Sequence, residues 1–560
     1  MKNTFKFIMA VVIAGSSLFY SCETTELELV NDPNNLTADQ ADPNFLLNSI
    51  QLNYQANAQT FNGNAGALTR IQYFGNRNYF AGLTGTTLDG AWTRTYAGML
   101  VDVRTIEELD ADPDVDLRFQ VGTGKIMLGH SLLWLVDFIG DIPFDEAFNP
   151  IEFPSPNVQD GASVYEAAIN LVAEGRAALT ALDADLTASE GDVNSAIEDL
   201  FYDEDISKWI KASNTIEMKA AITTGDLATF NAIVADDNFI SSTEDDLQFQ
   251  FGSNLLNPDN RHPDYASDYT PSGGNLYRSN WLMNYMAETN DPRIRYYFYR
   301  QSDCTPGAGC LPEGNGETLS CSLETPPPHY AGFTFCFLEN GYWGRDSGDD
   351  DGTPPDNFLR TVTGVYPSGG LYDQAEFESV SLGAGGGGAG IEPIILASYV
   401  DFWRAEAALI AGDADGAADF IEAGLTKSIA KVQTFGALDA TNDGSTEPSD
   451  VVVGNFISDI VADFDAADMT GKWNIYAQQY WVTLYGGAAE SYNFYRRQGF
   501  PTTLQPNIEA DPGNFPRSFP YASSEVVANP NINQKPDQNI QVFWDTNPPS
   551  SPNGGFPASN

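Results

Sequence analysis

Residues 402–420 read FWRAEAALIAGDADGAADF, and the fold follows from this stretch. Ile395, Tyr399, Phe402 and Leu409 fall on one face of a helix. Gly412 then reads as the stop of that helix and Asp413 as the N-cap of the next. Ala417, Ala418 and Gly424 follow, small enough for the two helices to approach closely. Nearly the same junction occurs far upstream, where Ala220–Asp226 (AAITTGD) matches Ala407–Asp413 (AALIAGD). A helix end, a glycine stop and an aspartate cap, used twice, are the logic of a tetratricopeptide helix–turn–helix hairpin. Because the copies are not tandem, the hairpins have to assemble across a long insertion.

Working outward, helical periodicity runs from Phe45 to about Ala235, returns over Pro393–Ile429 and again over Trp473–Arg497. One face of the first block carries Val164, Ala168, Leu171, Val172, Ala178, Leu179 and Leu182. The intervening segment is rich in Gly, Pro, Asn and aromatics, and it ends in a glycine run at Gly383–Gly390 that reads as a flexible approach to a helix. That run lacks the Lys and Ser/Thr of a phosphate loop. The expected fold is mostly α: a tetratricopeptide-like hairpin scaffold with a large loop-rich insertion carrying little strand. The scaffold takes residues 43–235 and 391–500, the insertion 236–390, and an irregular C-terminal segment 501–560.

At the start of the chain, Lys2 and Lys6 precede an apolar run from Phe7 to Ala14, and small residues lead to Ser21-Cys22. This pattern reads as a signal peptide over residues 1–21 with lipidation at Cys22. An acidic tether, 22–42, follows. After Phe7–Ala14 no apolar run approaches the ~20 residues that a membrane helix needs, so the expected membrane contact is the lipid.

The net charge is −50, and loss of Lys2 and Lys6 with the signal segment takes it to −52. Such a balance excludes nucleic-acid binding, which rests on Lys and Arg neutralising phosphates. Mean hydropathy of −0.26 is a globular value. Cys304, Cys310, Cys321 and Cys336 lie close together and read as two disulfides with three pairings open; short-loop closure favours Cys304–Cys310 and Cys321–Cys336. His130 falls on a helical stretch beside Leu133 and Trp134 and reads as a packed residue, while His262 and His329 adjoin prolines. No nucleophile–histidine triad pattern or HExxH motif appears.

Six segments, in order along the chain, carry a resemblance. They are Gly140–Ala147 (GDIPFDEA), Lys208–Asn214 (KWIKASN), Asp291–Ile294 (DPRI), Gly341–Asp346 (GYWGRD), Phe402–Ala407 (FWRAEA) and Tyr495–Pro501 (YRRQGFP). Together they resemble the SusD/RagB family of outer-membrane nutrient-binding lipoproteins, with Met218-Lys219 standing where a Leu-Arg pair is usual. The resemblance implies a lipid-anchored, surface-exposed protein that performs no chemistry. It further implies capture of oligosaccharides, or of peptides in some relatives, as a lid over a TonB-dependent SusC-like barrel.

Glycans are held by flat aromatic faces with polar side chains reaching hydroxyls. On that ground Tyr73, Asn76, Arg77 and Tyr79, followed by Trp92, form one candidate ligand cluster. Trp281, with Tyr277, Arg278 and Asn280 near it, forms a second, and Trp343 is a third candidate. Core packing is the competing use of each. Asp346, Asp349 and Asp351, with two glycines between and after them, offer hard oxygen ligands for a calcium ion, the one cofactor suggested; a solvated acidic turn is the alternative. Arg496, Arg497 and Glu406 read as buried ion-pair partners. A glycoside hydrolase remains the enzyme alternative, since two carboxylates ~5–10 Å apart would serve it.

Overall fold

The computed structural model describes residues 41–194, 196–305, 319–350 and 359–547. The signal segment, Cys22 and all but the end of the tether lie outside the described residues, as do Cys310 and Asp351. The longer helices are α1 (Pro43–Leu68), α2 (Leu100–Asp110), α3 (Arg118–Ile139), α4 (Gly161–Ser189), α5 (Ile206–Thr224), α6 (Leu227–Asp236), α7 (Asn280–Glu288), α8 (Ala397–Ala411), α9 (Ala414–Thr434), α10 (Asp450–Ala466), α11 (Met469–Thr483) and α12 (Ala489–Gln498). The strands among the described residues are short: β1 (Leu247–Gln250), β2 (Phe298–Tyr299), β3 (Val362–Thr363) and β4 (Ile391–Ile395).

Both copies of the repeated junction fold as the sequence requires. Gly225 and Gly412 each close a helix in the left-handed region at φ +77°, where a side chain costs ~1–2 kcal/mol. The Asp226 and Asp413 amides donate to Ala221 O and Ala408 O, both at 2.9 Å. Their carboxylates then cap α6 and α9, accepting from Thr229 N at 3.1 Å and Gly416 N at 3.0 Å. The hairpins α3–α4, α5–α6, α8–α9 and α10–α11 pack side by side. Where α3 crosses α4, a Cβ placed on Gly175 would lie 2.5 Å from Gly122 O, so the two backbones touch.

α3 is buried nearly all round, as a helix apolar on every face must be. His130 sits within it as a packed residue, its Nδ1 2.7 Å from the Tyr54 hydroxyl and its ring 4.0 Å from that of Trp134. Burial holds its pKa well below the usual imidazole range.

Three of the segments that carry the resemblance, DPRI, FWRAEA and YRRQGFP, supply buried joints between helices. Arg497 forks onto Glu406, with Nε and Nη2 each 2.8 Å from a carboxylate oxygen, and Gln498 Nε2 adds a third bond at 3.0 Å. Arg496 donates to the carbonyls of Asp137 and Arg517, both at 2.7 Å. Arg293 grips Asp291 and reaches Ser428 on α9 and Thr483 on α11, both at 3.0 Å. Lys219 lies between Asp137 and Glu490 in the core.

Two boundaries and one loop differ from the sequence expectation. Residues 391–395 form β4, antiparallel to β1 (Phe249 opposite Glu392, Gln250 opposite Ile391), and α8 starts only at Ala397. This pairing joins the two ends of the insertion and overrides the helical pattern at Pro393. The run Trp473–Arg497 is broken between α11 and α12 at Gly486, whose φ is +94°. The glycines before β4 are not a loose approach to a helix: they pack against Gly369 and Gly370, with Gly386 N and Gly388 N donating to the carbonyls of Gly370 and Gly369. A Cβ on Gly390 would lie 2.0 Å from Pro367 O, so this run is glycine because backbone lies against backbone.

Candidate functional site

The site begins where α1 stops. Thr69 caps the helix and Arg70 turns the chain at φ +69°. The Arg70 side chain is buried and donates to Leu68 O at 2.8 Å, Gln505 O at 3.0 Å and the Tyr79 hydroxyl at 2.7 Å. It fixes the course of the loop through residues 71–78. Ser279, just before α7, donates to Arg70 O at 2.7 Å. Tyr277 is thereby brought edge-on to Tyr73, with ring centroids 5.8 Å apart. The guanidinium carbons of Arg345 and Arg360 stand 4.3 Å and 4.0 Å from the Tyr277 ring centroid. Arg345 Nη1 donates to Asp349 O at 3.0 Å, the same carbonyl to which the Tyr73 hydroxyl donates.

Beside these side chains lies a pocket of about 230 Å³, lined by Gln72, Tyr73, Tyr277, Tyr485, Asp264 and Arg278 among others. Burial works to raise the Asp264 carboxyl, but the Arg278 guanidinium 3.1 Å away overcomes it and holds the group below the usual carboxylate range. Through Gln72, Asp264 and Tyr485 the pocket meets a smaller one of about 70 Å³, lined by Asn62, His262 and Glu392. Burial pushes Glu392 up to about 8 and His262 down to about 4, so both are neutral at pH 7. Asn62 Nδ2 donates to Glu392 at 2.8 Å. The larger pocket thus presents aromatic faces beside an amide, a carboxylate and a guanidinium, a set able to pack on a ring and exchange hydrogen bonds with its hydroxyls.

The sequence candidates divide. Tyr73 lines this pocket, and Tyr277, noted only as a neighbour of Trp281, proves to be its partner. Asn76 stands exposed on the adjoining loop. Arg77 beside it is engaged by Asp350 and Glu509, both at 2.5 Å. Tyr79, Trp92 and Trp343 are corrected to packing residues, each at most 4% exposed. Tyr79 lies under Arg70 and against Phe74 and Phe515. Trp92 packs on Tyr96 and Tyr521. Trp343 packs with Leu319 and Cys336 beneath the disulfide loop. Aromatic residues between polar ones in sequence looked like a loop surface, but α-helical turns and a buried arginine draw them inward. Trp281 lines a different cleft, which shares no lining residue with this pocket.

The calcium expectation meets a plain obstacle at Asp346. This carboxylate is buried and accepts from Asn280 Nδ2 at 2.9 Å, Gln505 Nε2 at 2.8 Å and Cys336 N at 2.6 Å. Both its oxygens serve the protein, so it does not fit an ion-ligating role. Among the described residues no group of three His, Cys, Asp or Glu side chains is disposed to hold a metal. Cys321 and Cys336 are joined, with Cα atoms 5.7 Å apart; Cys304 is also disulfide-bonded.

Residues 33–312 match a family model described as "Starch-binding associating with outer membrane", and residues 392–542 match one described as "Susd and RagB outer membrane lipoprotein". The chain belongs to the SusD/RagB family. Solved structures agree in fold. A SusD/RagB family protein from Bacteroides thetaiotaomicron superposes with a TM-score of 0.63 at 17% identity, covering 90% of this chain and 99% of its own. A chitin-binding SusD homologue from Flavobacterium johnsoniae gives 0.61 at 15% identity, covering 90% and 100%. A SusD homologue from Bacteroides uniformis gives 0.60 at 16% identity, covering 90% and 99%. No curated protein matches the chain. Among the described residues no helix is long and apolar enough to cross a membrane.

Proposed function

We propose that this protein captures a glycan at the outer membrane, in the pocket between Tyr73 and Tyr277, and passes it to a TonB-dependent SusC-like transporter that it covers as a lid. It carries no catalysis of its own in this reading. The supporting observation is the meeting of Tyr73 and Tyr277, about 200 residues apart in sequence, around a pocket whose lining includes hydrogen-bonding side chains. Membership of the SusD/RagB family supports the transporter as partner, and lipidation at Cys22 supplies the anchor.

The hydrolase reading draws on one observation: an ionised Asp264 and a protonated Glu392 line adjoining pockets, as an acid–base pair would. Against it, Asp264 is held by Arg278, and the 70 Å³ space at Glu392 has room for a few waters but not for a pyranose ring. A peptide-binding lid would instead favour extended oligopeptides over sugars.

Isothermal titration with neutral oligosaccharides tests the reading. Chito-oligosaccharides come first, since a fold relative is described as chitin-binding. Tyr277→Ala should weaken binding by about tenfold or more, ~1.4 kcal/mol. Release of reducing sugar by the pure protein, or affinity for oligopeptides alone, would overturn the reading.

A further inference from the structure

We infer that the cleft beside α7 is a second carbohydrate site, for a neutral pyranose. It extends the glycan reading to another place on the chain and does not depend on the first pocket. Trp281, Asn284, Tyr285 and Glu288 are spaced i, i+3, i+4 and i+7, so they share one face of α7. Leu282, Met283 and Met286 take the opposite side into the core. The first face is partly covered, with Trp281 buried, Asn284 and Tyr285 half-buried and Glu288 exposed. It forms one wall of a cleft of about 380 Å³, whose other walls are the loop Ala331–Thr334, Gln478 of α11 and the turn Thr502–Gln505.

The chemistry of this cleft narrows its occupant. The Trp281 and Tyr285 rings are nearly parallel, 6° apart in plane, with centroids separated by 5.8 Å. Their polar tips are anchored to the protein: Trp281 Nε1 donates to Thr503 O at 2.9 Å, and the Tyr285 hydroxyl accepts from Gln479 Nε2 at 2.8 Å. Both rings are therefore held in place before any ligand arrives, and what they offer the cleft is hydrocarbon surface. Phe333 also lines the cleft, and Cys336, joined to Cys321, tethers the loop that carries it. The lining contains Asn, Gln and Thr side chains, with Glu288 as its single charge and no Lys, Arg or His. A ligand with one apolar face and a rim of hydroxyls suits that set. Glu288 repels a uronate or sulfated sugar, and an unpaired lysine-rich peptide would find one carboxylate and no further anion. The cleft is larger than the Tyr73–Tyr277 pocket and shares no lining residue with it; Asn280, next to Trp281, sits in a buried network with Asp346 and Gln505.

The test uses the full-length protein with chitotetraose, cellotetraose and maltotetraose as probes, read by titration calorimetry and saturation-transfer NMR. Wild-type protein should bind one of these sugars at two sites. Ala331→Trp, on an exposed loop and bulky enough to fill the cleft, should remove one site and leave the other. Asn284→Ala should weaken the same site by about tenfold. In Tyr73→Ala/Tyr277→Ala, saturable binding should persist and be abolished by adding Ala331→Trp. If only the first pocket binds, and Ala331→Trp changes nothing, the second site falls and the proposed function stands. If only the cleft binds, the first pocket falls and this inference stands. If no neutral sugar binds at either place, or the cleft takes peptides alone, the inference is overturned.

Discussion

Glu406→Gln isolates the joint between the FWRAEA and YRRQGFP segments. The substitution keeps shape and removes charge. Glu406 is fully buried and Arg497 almost so, and both carboxylate oxygens are committed to the guanidinium at 2.8 Å. Burial works to lower the Arg497 pKa, and the Glu406 carboxylate overcomes it, keeping the group charged. With Gln in place, that cation stays buried without its counter-charge, a change that costs ~3–5 kcal/mol in comparable sites. Unfolding entropy near the midpoint is ~2.1 cal/mol/K per residue, so roughly 500 ordered residues unfolding together give about 1 kcal/mol/K and a fall in Tm of about 3–5 °C. Differential scanning calorimetry reads that shift. The double substitution Glu406→Leu/Arg497→Met removes both charges and should recover most of the loss, because a buried ion pair contributes little over an apolar pair of similar volume. A Glu406→Gln melt within 1 °C of wild type, or a double variant as unstable as the single, would refute the assignment of this pair as a structural joint. So would loss of glycan affinity in Arg497→Met with the melt unchanged.

Two further outcomes follow from the same reasoning. Glu392 is pushed up to about 8 from an unfolded value of 4.5, so between those pH values the folded state keeps a proton that the unfolded chain has lost. Its stabilising contribution is full below pH 4.5 and falls as pH rises toward 8, by at most about 5 kcal/mol at 1.36 kcal/mol per pH unit. Glu392→Gln should flatten the decline of Tm between pH 5 and 8, and an unchanged slope would refute the burial argument. Cys321→Ser/Cys336→Ser opens a loop of 15 residues, a constraint worth ~3 kcal/mol. Amide exchange should speed up over Ala331–Thr334, and equal protection in both proteins would show that packing alone holds that wall.

The legible part of the molecule was its local chemistry. A helix stop and an aspartate cap are decided by neighbouring residues, so the junctions at Gly225-Asp226 and Gly412-Asp413 could be read directly and appear as expected. The helical faces and the packed His130 belong to the same group; Arg497 and Glu406 were readable as buried ion-pair residues, but their meeting across 91 residues, and Arg496 donating to carbonyls instead of to an acid, are tertiary outcomes. Of the six segments that carry the resemblance, DPRI, FWRAEA and YRRQGFP hold buried charged groups that join helices, whereas Asp141 and Asp145 of GDIPFDEA are exposed.

The ligand site was less legible for a physical reason. An aromatic residue in a polar stretch serves equally as a packing anchor or as a binding face, and only its burial decides which. Tyr79, Trp92 and Trp343 turned inward; Tyr73 stayed at a pocket wall and found Tyr277 through the Ser279–Arg70 bond. Sequence alone determined a bundle of capped helical hairpins, its acidic charge and its family. Tertiary structure alone decided that residues 391–395 pair as a strand and that Asp346 faces buried donors. It also decided that Trp281 and Tyr277, four residues apart, serve different cavities. Those outcomes depend on contacts between segments distant along the chain, whose energies no local pattern records.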